Sequence, residues 1–486
     1  MQKNDSSKKG ILSAVIWKVL ERFFSQGISL VVQILLARIL LPEDFGNLAI
    51  IVAITNFLSI FVQSGIATVI VQRNNIDDLD IGTLQTASVV VAAFLYIILF
   101  FSAPYIERYY GYPEICGSLR VLGLLLFFNA FYSIQNAILT REMRFRQIFT
   151  VSAVSVVVSG AVGITMAVLG AGVWALVMQI LLHVFVMVVI MSFDRRLRVP
   201  FRFSFNRAKD LYGFAGKILL TSIITSSHDA LRTMVVGKVH SAESLAYYDK
   251  AYSYSSYVAQ IANSSISSVL LPVFSRAQDD YCAIKETARS SVRMTTLIMF
   301  PLLLGVATIA QPVVTILLTE KWLPCSPFLS LFCILRIPGC LMSIDRQVYY
   351  AIGKSEINLK YEIFLISLNV ATLFFTVGIS PMAIAIGATI VELLGGFIIF
   401  LISQKVYAYS LKERFIDLFK PLLSSVIMVM AVSFVGTLGL QNMGTMVIQI
   451  VVGVITYGLM CLLLKNQEFF LLINSLCSAF FKKKSN

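Results

Sequence analysis

The chain has 486 residues, of which 58% are hydrophobic and only 13% are charged. Soluble domains carry about 25% charged residues, and a mean hydropathy of +0.83 leaves too little polar side chain to cover an aqueous surface. These figures exclude a soluble globular protein and predict an all-α protein that crosses a membrane many times.

The apolar segments predict fourteen transmembrane helices, at about 20 residues for each crossing. The predicted spans are 14–40, 45–71, 81–103, 118–140, 148–169, 172–193, 211–238, 246–272, 290–318, 326–351, 358–378, 381–403, 419–440 and 443–464. The first span is too long for a cleavable signal peptide, and it carries Lys18 and Arg22. We therefore expect it to be part of the mature protein.

The net charge of +13 reports topology and does not indicate a nucleic-acid partner. Most lysines and arginines lie in loops on one side of the predicted membrane, the loops at 276–293 and 405–420 among them, and few lie in loops on the other side. Basic loops remain cytoplasmic because their translocation is disfavoured. The pattern predicts a multi-pass membrane protein with both termini in the cytoplasm.

Residues typical of metal sites and catalysis form no recognisable motif. The seven cysteines show no CxxC spacing, which argues against a disulfide framework or a metal site. His183, His228 and His240 have no metal-ligand spacing, and neither GxSxG nor a P-loop is present. We expect a transporter without a metal or cofactor, and no enzyme.

Two segments of the sequence align at an offset of 200 residues without a gap. "ARILLPEDFGNL" at 37–48 lies opposite "GKVHSAESLAYY" at 237–248. An even number of spans separates the two copies, so both have the same orientation. Parallel repeats are a feature of transporters, although any two helical hairpins with an acidic turn can also be aligned.

The repeat predicts a layout of two six-helix lobes with two extra helices. We expect an N-lobe at 11–193, a basic cytoplasmic linker at 194–209 and a C-lobe at 210–404. Residues 405–486 would then hold the two extra helices and a C-terminal tail. The tail combines aromatic residues with "KKK" at 482–484, which is typical of an interfacial helix on an anionic leaflet.

Four phrases resemble bacterial polysaccharide flippases of the MATE-like (MOP) exporter superfamily, in particular the Wzx and teichuronic-acid branch. They are "LLPEDFGNLAI", "LTREMRFRQI", "GAGVWALV" and "YYAIGK". The resemblance implies a MATE-like flippase of the bacterial plasma (inner) membrane. It would move an undecaprenyl-diphosphate-linked oligosaccharide from the inner to the outer leaflet, for surface polysaccharides such as lipopolysaccharide or exopolysaccharide. The resemblance also implies alternating access through a cationic cavity between the lobes, and a polymerase and glycosyltransferases as pathway partners.

Ionisable side chains inside the predicted spans are the candidate functional residues, because such groups are costly in lipid and usually face protein or water. Arg38 and Arg120 lie near helix ends and can snorkel to the interface. The candidates for binding a diphosphate are Lys18, Arg22, Lys217, His228, Arg232, Arg336 and Arg346. Arginine suits this role because its planar fork donates two hydrogen bonds to neighbouring oxygens.

Each of these groups also has a structural interpretation. Asp229 precedes Arg232 by three residues and can pair with it, whereas Asp345 beside Arg346 cannot, because adjacent helix residues face different directions. Asp229, Asp345 and Glu392 are candidates for proton or sodium coupling; Glu392 would otherwise make a hydrogen bond between helices. The five tyrosines of "AYYDKAYSYSSY" (246–257) would form an interfacial belt or stack on sugar rings.

Two related functions remain open at this point. A MATE-type multidrug or cation antiporter would require a cavity rich in carboxylates, whereas the charges here are mostly basic. A peptidoglycan lipid precursor flippase would use the same carrier lipid and a similar fold. A glycan polymerase or ligase would require a long external loop, and no predicted external loop exceeds ordinary connection length.

Overall fold

The computed structural model describes residues 17, 21, 24–63, 65–73, 76–276, 280–438, 442–472 and 474. Within these ranges the side chains of residues 210, 212–215, 217, 218, 225, 261–273, 275, 276 and 442 are not described. The chain divides into two compact units, Met1–Ala246 and Tyr247–Asn486. Every regular element in the described part is a helix, which confirms the all-α class.

In the residues that the structure describes, the first unit is built from nine α-helices and the start of a tenth. They are α1 (Phe24–Ile39), α2 (Pro42–Gln63), α3 (Ile66–Gln72), α4 (Asp78–Tyr110), α5 (Ile115–Leu122), α6 (Leu125–Arg141), α7 (Phe145–Val168), α8 (Val173–Phe193), α9 (Phe205–Val239) and α10 (Ala242–Arg276). A core of apolar side chains between α3, α4, α6, α7 and α8 holds this unit together.

The second unit contains the rest of α10 and seven further helices. They are α11 (Tyr281–Thr308), α12 (Ala310–Leu318), α13 (Cys325–Ala351), α14 (Ser355–Thr376), α15 (Pro381–Tyr407), α16 (Leu411–Gly436) and α17 (Asn442–Leu463). Helices α11, α13, α14 and α15 share one core. The last two helices pack in a second core with α11 and α12.

In the described residues, eleven helical segments are long and apolar enough to cross a membrane, and each coincides with a predicted span. The exact count of fourteen stays a prediction. Two further helices, α9 and α10, are each 35 residues long, roughly 52 Å at 1.5 Å per residue. They are the most polar of the long helices, so they need polar surroundings along part of their length.

Several predicted spans are interrupted helices. The span at 45–71 is divided at Gly65, which adopts a left-handed conformation with φ of 81°. The spans at 118–140 and 290–318 correspond to α5 with α6 and to α11 with α12. Because hydropathy averages over a window, it does not detect a single residue that ends one helix and begins another.

The two segments that aligned at an offset of 200 residues lie against each other. A Cβ atom on Gly46 of α2 would lie 1.8 Å from the carbonyl oxygen of Ala242 at the start of α10. A Cβ atom on Gly237 would lie 2.9 Å from Ile50. Glycine at these positions allows the close approach of α2 to α9 and to the first turn of α10. The repeat itself and the lobe boundaries stay predictions.

Candidate functional site

The most unusual group of charges lies on α9, where the sequence places His228, Asp229 and Arg232 within five residues. The Arg232 Nη1 atom lies 3.0 Å from the Asp229 Oδ1 atom, and the His228 Nδ1 atom lies 3.7 Å from the same oxygen. The expected pairing of Asp229 with Arg232 is therefore confirmed.

Burial differs sharply between the partners of this pair. The Arg232 side chain is 8% exposed, whereas the Asp229 side chain is 57% exposed. Asp229 lies ten residues before the end of α9 at Val239, roughly 15 Å along the helix axis. A carboxylate at this depth that stays accessible must face a polar space, because exposure to lipid would be costly.

Three of the candidate cations cannot be placed. Lys18 and Arg22 lie outside the described residues. Lys217 is part of α9, the helix that also carries Arg232, but the Lys217 side chain is not described. The diphosphate-binding roles of these three residues stay predictions.

Arg336 on α13 contacts α10. Its Nη2 atom donates a hydrogen bond to the carbonyl oxygen of Tyr252 at 3.3 Å and another to the Ser256 hydroxyl. The guanidinium carbon lies 4.2 Å from the centroid of the Tyr252 ring, which adds a cation–π contact. Arg336 therefore links two helices of the second unit while remaining half-buried.

Asp345 and Arg346, adjacent on α13, point in different directions, as expected for neighbours on a helix. The Arg346 Nη2 atom lies 3.2 Å from Glu362 Oε1 on α14, in a partly exposed ion pair. Asp345 is 1% exposed and accepts hydrogen bonds from Arg414 Nη1 at 2.9 Å and Nη2 at 2.7 Å. The sequence suggested no partner for either residue.

The Asp345 carboxylate lies within a closed polar network between α13, α15 and α16. The Ser403 hydroxyl donates to it at 2.7 Å, and the Tyr407 hydroxyl donates to the same oxygen. The Arg414 guanidinium also lies 4.1 Å from the centre of the Phe400 ring. Both oxygens of Asp345 have partners, so this network can fix the position of α16.

A second ionic cluster joins α11 to α16. Asp417 accepts hydrogen bonds from Arg289 at 2.8 Å and 3.2 Å, from Arg293 at 3.2 Å and from Tyr409 at 2.8 Å. Lys285 Nζ lies 2.7 Å from Glu413. Each base in this cluster has an acidic partner, so the cluster is suited to holding helices together.

The sequence interpretation missed both the buried network and this cluster, because it assigned 276–293 and 405–420 to basic loops. The signal that could have revealed the start of α16 is the capping box formed by Ser410 and Glu413. This pattern places a helix at Leu411, and the charged residues that follow then belong to a helix.

The remaining coupling candidate, Glu392, is half-buried on α15, which packs against α13 and α14. No group of three or more histidine, cysteine, aspartate or glutamate side chains that could hold a metal ion occurs in the part of the chain that is described. The coupling roles of Asp229, Asp345 and Glu392 stay predictions.

The tyrosines at the start of α10 do not form one surface. Tyr247 is buried with its ring 5.9 Å from that of Trp322, and Tyr248 is buried with its ring 4.9 Å from that of Phe332. These two belong to a protein core and to neither a lipid belt nor a sugar platform. Tyr252 supports Arg336.

Comparison with known proteins gives a family and a fold. Residues 35–327, more than half of the chain, match the family model described as "Polysaccharide biosynthesis protein". The succinoglycan biosynthesis transport protein ExoT of Rhizobium meliloti (strain 1021) is 24% identical over 348 residues, which cover 72% of this chain and 70% of ExoT. The lipopolysaccharide biosynthesis protein WzxC of Escherichia coli (strain K12) is 26% identical over 416 residues, which cover 83% of this chain and 81% of WzxC.

Solved structures of transporters share the fold. The lipid II flippase MurJ in an inward closed conformation superposes with a TM-score of 0.77 at 15% identity, covering 93% of this chain and 99% of MurJ. An inward-facing MATE-family multidrug transporter of the MOP superfamily gives a TM-score of 0.58 at 16% identity, covering 81% and 97% of the two chains. The chain is a multi-pass membrane protein with a MATE-like fold, and it belongs to the polysaccharide biosynthesis protein family.

Proposed function

We propose that the protein is a flippase that moves undecaprenyl-diphosphate-linked oligosaccharide repeat units from the inner to the outer leaflet of the bacterial plasma membrane. The observation that carries the proposal is the family match over residues 35–327. Relatives named for succinoglycan, teichuronic acid and lipopolysaccharide biosynthesis support it. The protein would work by alternating access, with both termini in the cytoplasm.

The charges of α9 support a role in handling the diphosphate. Arg232 is held against an accessible carboxylate at 3.0 Å, and a diphosphate oxygen can replace that carboxylate because both are anionic acceptors of charge-assisted hydrogen bonds. In this scheme Asp229 pairs with the Arg232 guanidinium while the substrate is absent, and the diphosphate displaces Asp229 when the substrate binds. Lys217, His228, Arg336 and Arg346, together with Lys18 and Arg22, would supply further contacts.

Exchange of partners at Arg232 also offers a simple route for ion coupling. Two negative charges that move outward travel down an inside-negative potential, which supplies about 2.3 kcal/mol per charge per 100 mV. A proton or sodium ion that binds Asp229 would neutralise its carboxylate and free the Arg232 guanidinium for the diphosphate. Asp229 suits this role better than Asp345 because it is accessible, whereas Arg414, Ser403 and Tyr407 occupy the Asp345 oxygens.

The direct test is the sidedness of the lipid-linked oligosaccharide in cells with and without the gene. Intact spheroplasts are treated with a glycan-cleaving enzyme that cannot cross the membrane, and the fraction of protected oligosaccharide is measured. We expect deletion to leave the oligosaccharide synthesised but protected inside. Unchanged outward exposure would overturn the proposal.

The same cells distinguish the two related functions. A peptidoglycan precursor flippase would leave lipid II, and not the surface polysaccharide intermediate, protected in the deletion strain. A multidrug or cation antiporter would change drug tolerance and leave both intermediates exposed. Loss of a polymerase or a glycosyltransferase of the same pathway would change the length or the synthesis of the glycan. It would not change the side of the membrane on which the lipid-linked oligosaccharide is found.

A further inference from the structure

The segment between α8 and α9, residues 194–204, combines exposed aromatic and basic side chains. We call this segment the strap. Phenylalanines lie within it and at both of its ends, and their exposed fractions are 74% for Phe193, 62% for Phe201, 54% for Phe203 and 74% for Phe205. Exposed arginines alternate with them, namely Arg195, Arg196, Arg198 and Arg202. Two exposed phenylalanines in this short connection and two at the adjoining helix ends require a partner that accepts apolar rings.

The strap lies against the beginning of α4 through its backbone. The Thr86 hydroxyl donates a hydrogen bond to the carbonyl oxygen of Arg202 at 3.2 Å, and the Ser204 backbone N–H donates to Thr83 Oγ1 at 3.3 Å. A Cβ atom on Gly82 would lie 2.8 Å from the carbonyl oxygen of Pro200. Leu197 is buried in the core of the first unit, whereas the arginines and phenylalanines of the strap remain exposed.

An ion pair beyond the strap fixes the start of α9 to the same part of α4. The Arg207 Nη1 atom lies 2.9 Å from Asp80 Oδ1, and its Nη2 atom lies 3.3 Å from Asp77 Oδ2. The strap is thus fixed near its end to the helix on which it lies. Its position relative to the membrane follows from the sequence of α4.

The contacts on α4 lie at the depth where its apolar stretch begins. An uninterrupted run, "ASVVVAAFLYIILFF", starts at Ala87, and the strap contacts Gly82, Thr83 and Thr86. At 1.5 Å per residue, Gly82 lies roughly 7 Å beyond Ala87 along the helix. This is the headgroup boundary, where apolar side chains of interfacial segments enter the edge of the bilayer.

The charge of the strap favours an anionic surface. Four arginines lie between 195 and 202, and the neighbouring acid, Asp194, is paired with Arg144 at 2.9 Å. A cavity of about 410 Å³ beside that pair is lined by Arg144, Arg146, Gln147 and Thr150. Clustered arginines next to a transmembrane helix attract anionic lipid headgroups.

From these observations we propose that the strap docks onto the anionic phospholipid surface of the leaflet on its side of the membrane, with its phenylalanines inserted at the headgroup boundary and its arginines on lipid phosphates. The proposal does not depend on which substrate the protein carries. It makes the connection between α8 and α9 a fixed membrane contact of the first unit.

The first experiment measures stabilisation of the full-length protein by lipid. Purified protein in detergent is mixed with phosphatidylglycerol or phosphatidylcholine, and the unfolding midpoint is recorded. We expect phosphatidylglycerol to raise the midpoint of the unchanged protein more than phosphatidylcholine does. The Arg195→Gln/Arg196→Gln/Arg202→Gln variant should lose most of this difference.

A matched control removes the same number of charges elsewhere. Lys354, Lys360 and Lys405 are exposed, and replacing all three with glutamine should preserve the preference for phosphatidylglycerol. Equal loss in both triple variants would indicate a general charge effect, and retention in the strap variant would indicate no lipid binding there. Either result overturns the proposal.

The second experiment measures depth. A Phe203→Trp variant is reconstituted into vesicles containing lipids brominated near the top of their acyl chains, and its quenching is compared with that of the unchanged protein. We expect additional quenching for Phe203→Trp and none for a Lys354→Trp control. Absence of additional quenching at position 203 would contradict insertion and leave the strap as a surface for a protein partner.

Discussion

The buried pair of Asp345 and Arg414 predicts a large and specific loss of stability when one partner is removed. The Arg414→Gln substitution leaves a carboxylate that is 1% exposed without the two hydrogen bonds of 2.9 Å and 2.7 Å that it accepts from the guanidinium. Leaving one charge of a buried pair without its partner costs about 3–5 kcal/mol. Ser403 and Tyr407 remain, but neither carries a compensating charge.

The next residue along α13 supplies the control. Arg346 pairs with Glu362 at 3.2 Å, and these side chains are 34% and 23% exposed. An accessible pair of this kind contributes about 0–1 kcal/mol, so Arg346→Gln should cost far less than Arg414→Gln. Both arginines pair with acids in the same unit, but Arg414 is buried, donates two hydrogen bonds to its carboxylate partner and contacts the Phe400 ring.

The free energies of unfolding of Arg414→Gln and Arg346→Gln are compared by unfolding the purified proteins with sodium dodecyl sulfate in mixed micelles. Circular dichroism follows the loss of helix. The double variant Asp345→Asn/Arg414→Gln should lose less free energy of unfolding than the summed losses of the single variants Asp345→Asn and Arg414→Gln. The reason is that the effects of substitutions at contacting residues are not additive. If Arg414→Gln and Arg346→Gln lose equal free energy of unfolding, the reasoning from burial is refuted.

Three further predictions concern the first unit. Arg232→Gln at normal expression should lower glycan export about tenfold or more, because it removes a charge-assisted hydrogen bond worth about 1.5–3 kcal/mol. Export at the full rate would contradict the role of Arg232. Gly46→Ala should lower the unfolding midpoint because its Cβ would lie 1.8 Å from the Ala242 carbonyl oxygen, whereas Gly27→Ala, with no other atom within 4 Å, should not. The Arg196 backbone N–H, with further hydrogen bonds, holds the pKa of Asp194 below its ordinary value of 3.8. The ionised Asp194 side chain therefore stabilises the folded protein above about pH 4, and this stabilisation is lost as the pH falls through the lower pKa of the folded state. Asp194→Asn should therefore lower the unfolding midpoint at pH 7, and the difference from the unchanged protein should disappear in acid.

The sequence predicted features that depend on local spacing or on composition. The pairing of Asp229 with Arg232 follows from a three-residue separation on a helix, and the apolar segments follow from the needs of the bilayer. The membrane class follows from the composition, whereas the family was predicted from the resemblance of four phrases to polysaccharide flippases. These features require no knowledge of which helices are neighbours.

Features that depend on neighbouring helices were not predicted. Arg414 was assigned to a cytoplasmic loop because helices continue beyond the hydrocarbon, and their charged ends have the composition of loops. Its partner Asp345 lies 69 residues away in the chain, and no spacing rule connects them. Tyr247 and Tyr248 were likewise assigned to a surface because only the structure places Trp322 and Phe332 against them.

Reconstituted transport tests the central claim most directly. Purified protein is incorporated into vesicles that contain a lipid-diphosphate-linked oligosaccharide, and the fraction protected from an external glycan-cleaving enzyme is followed over time. We predict that protection is lost in vesicles with the protein and is retained in empty vesicles and in those with the Arg232→Gln variant. Protection equal to that of empty vesicles, with transport of lipid II or of an organic cation instead, would contradict the account.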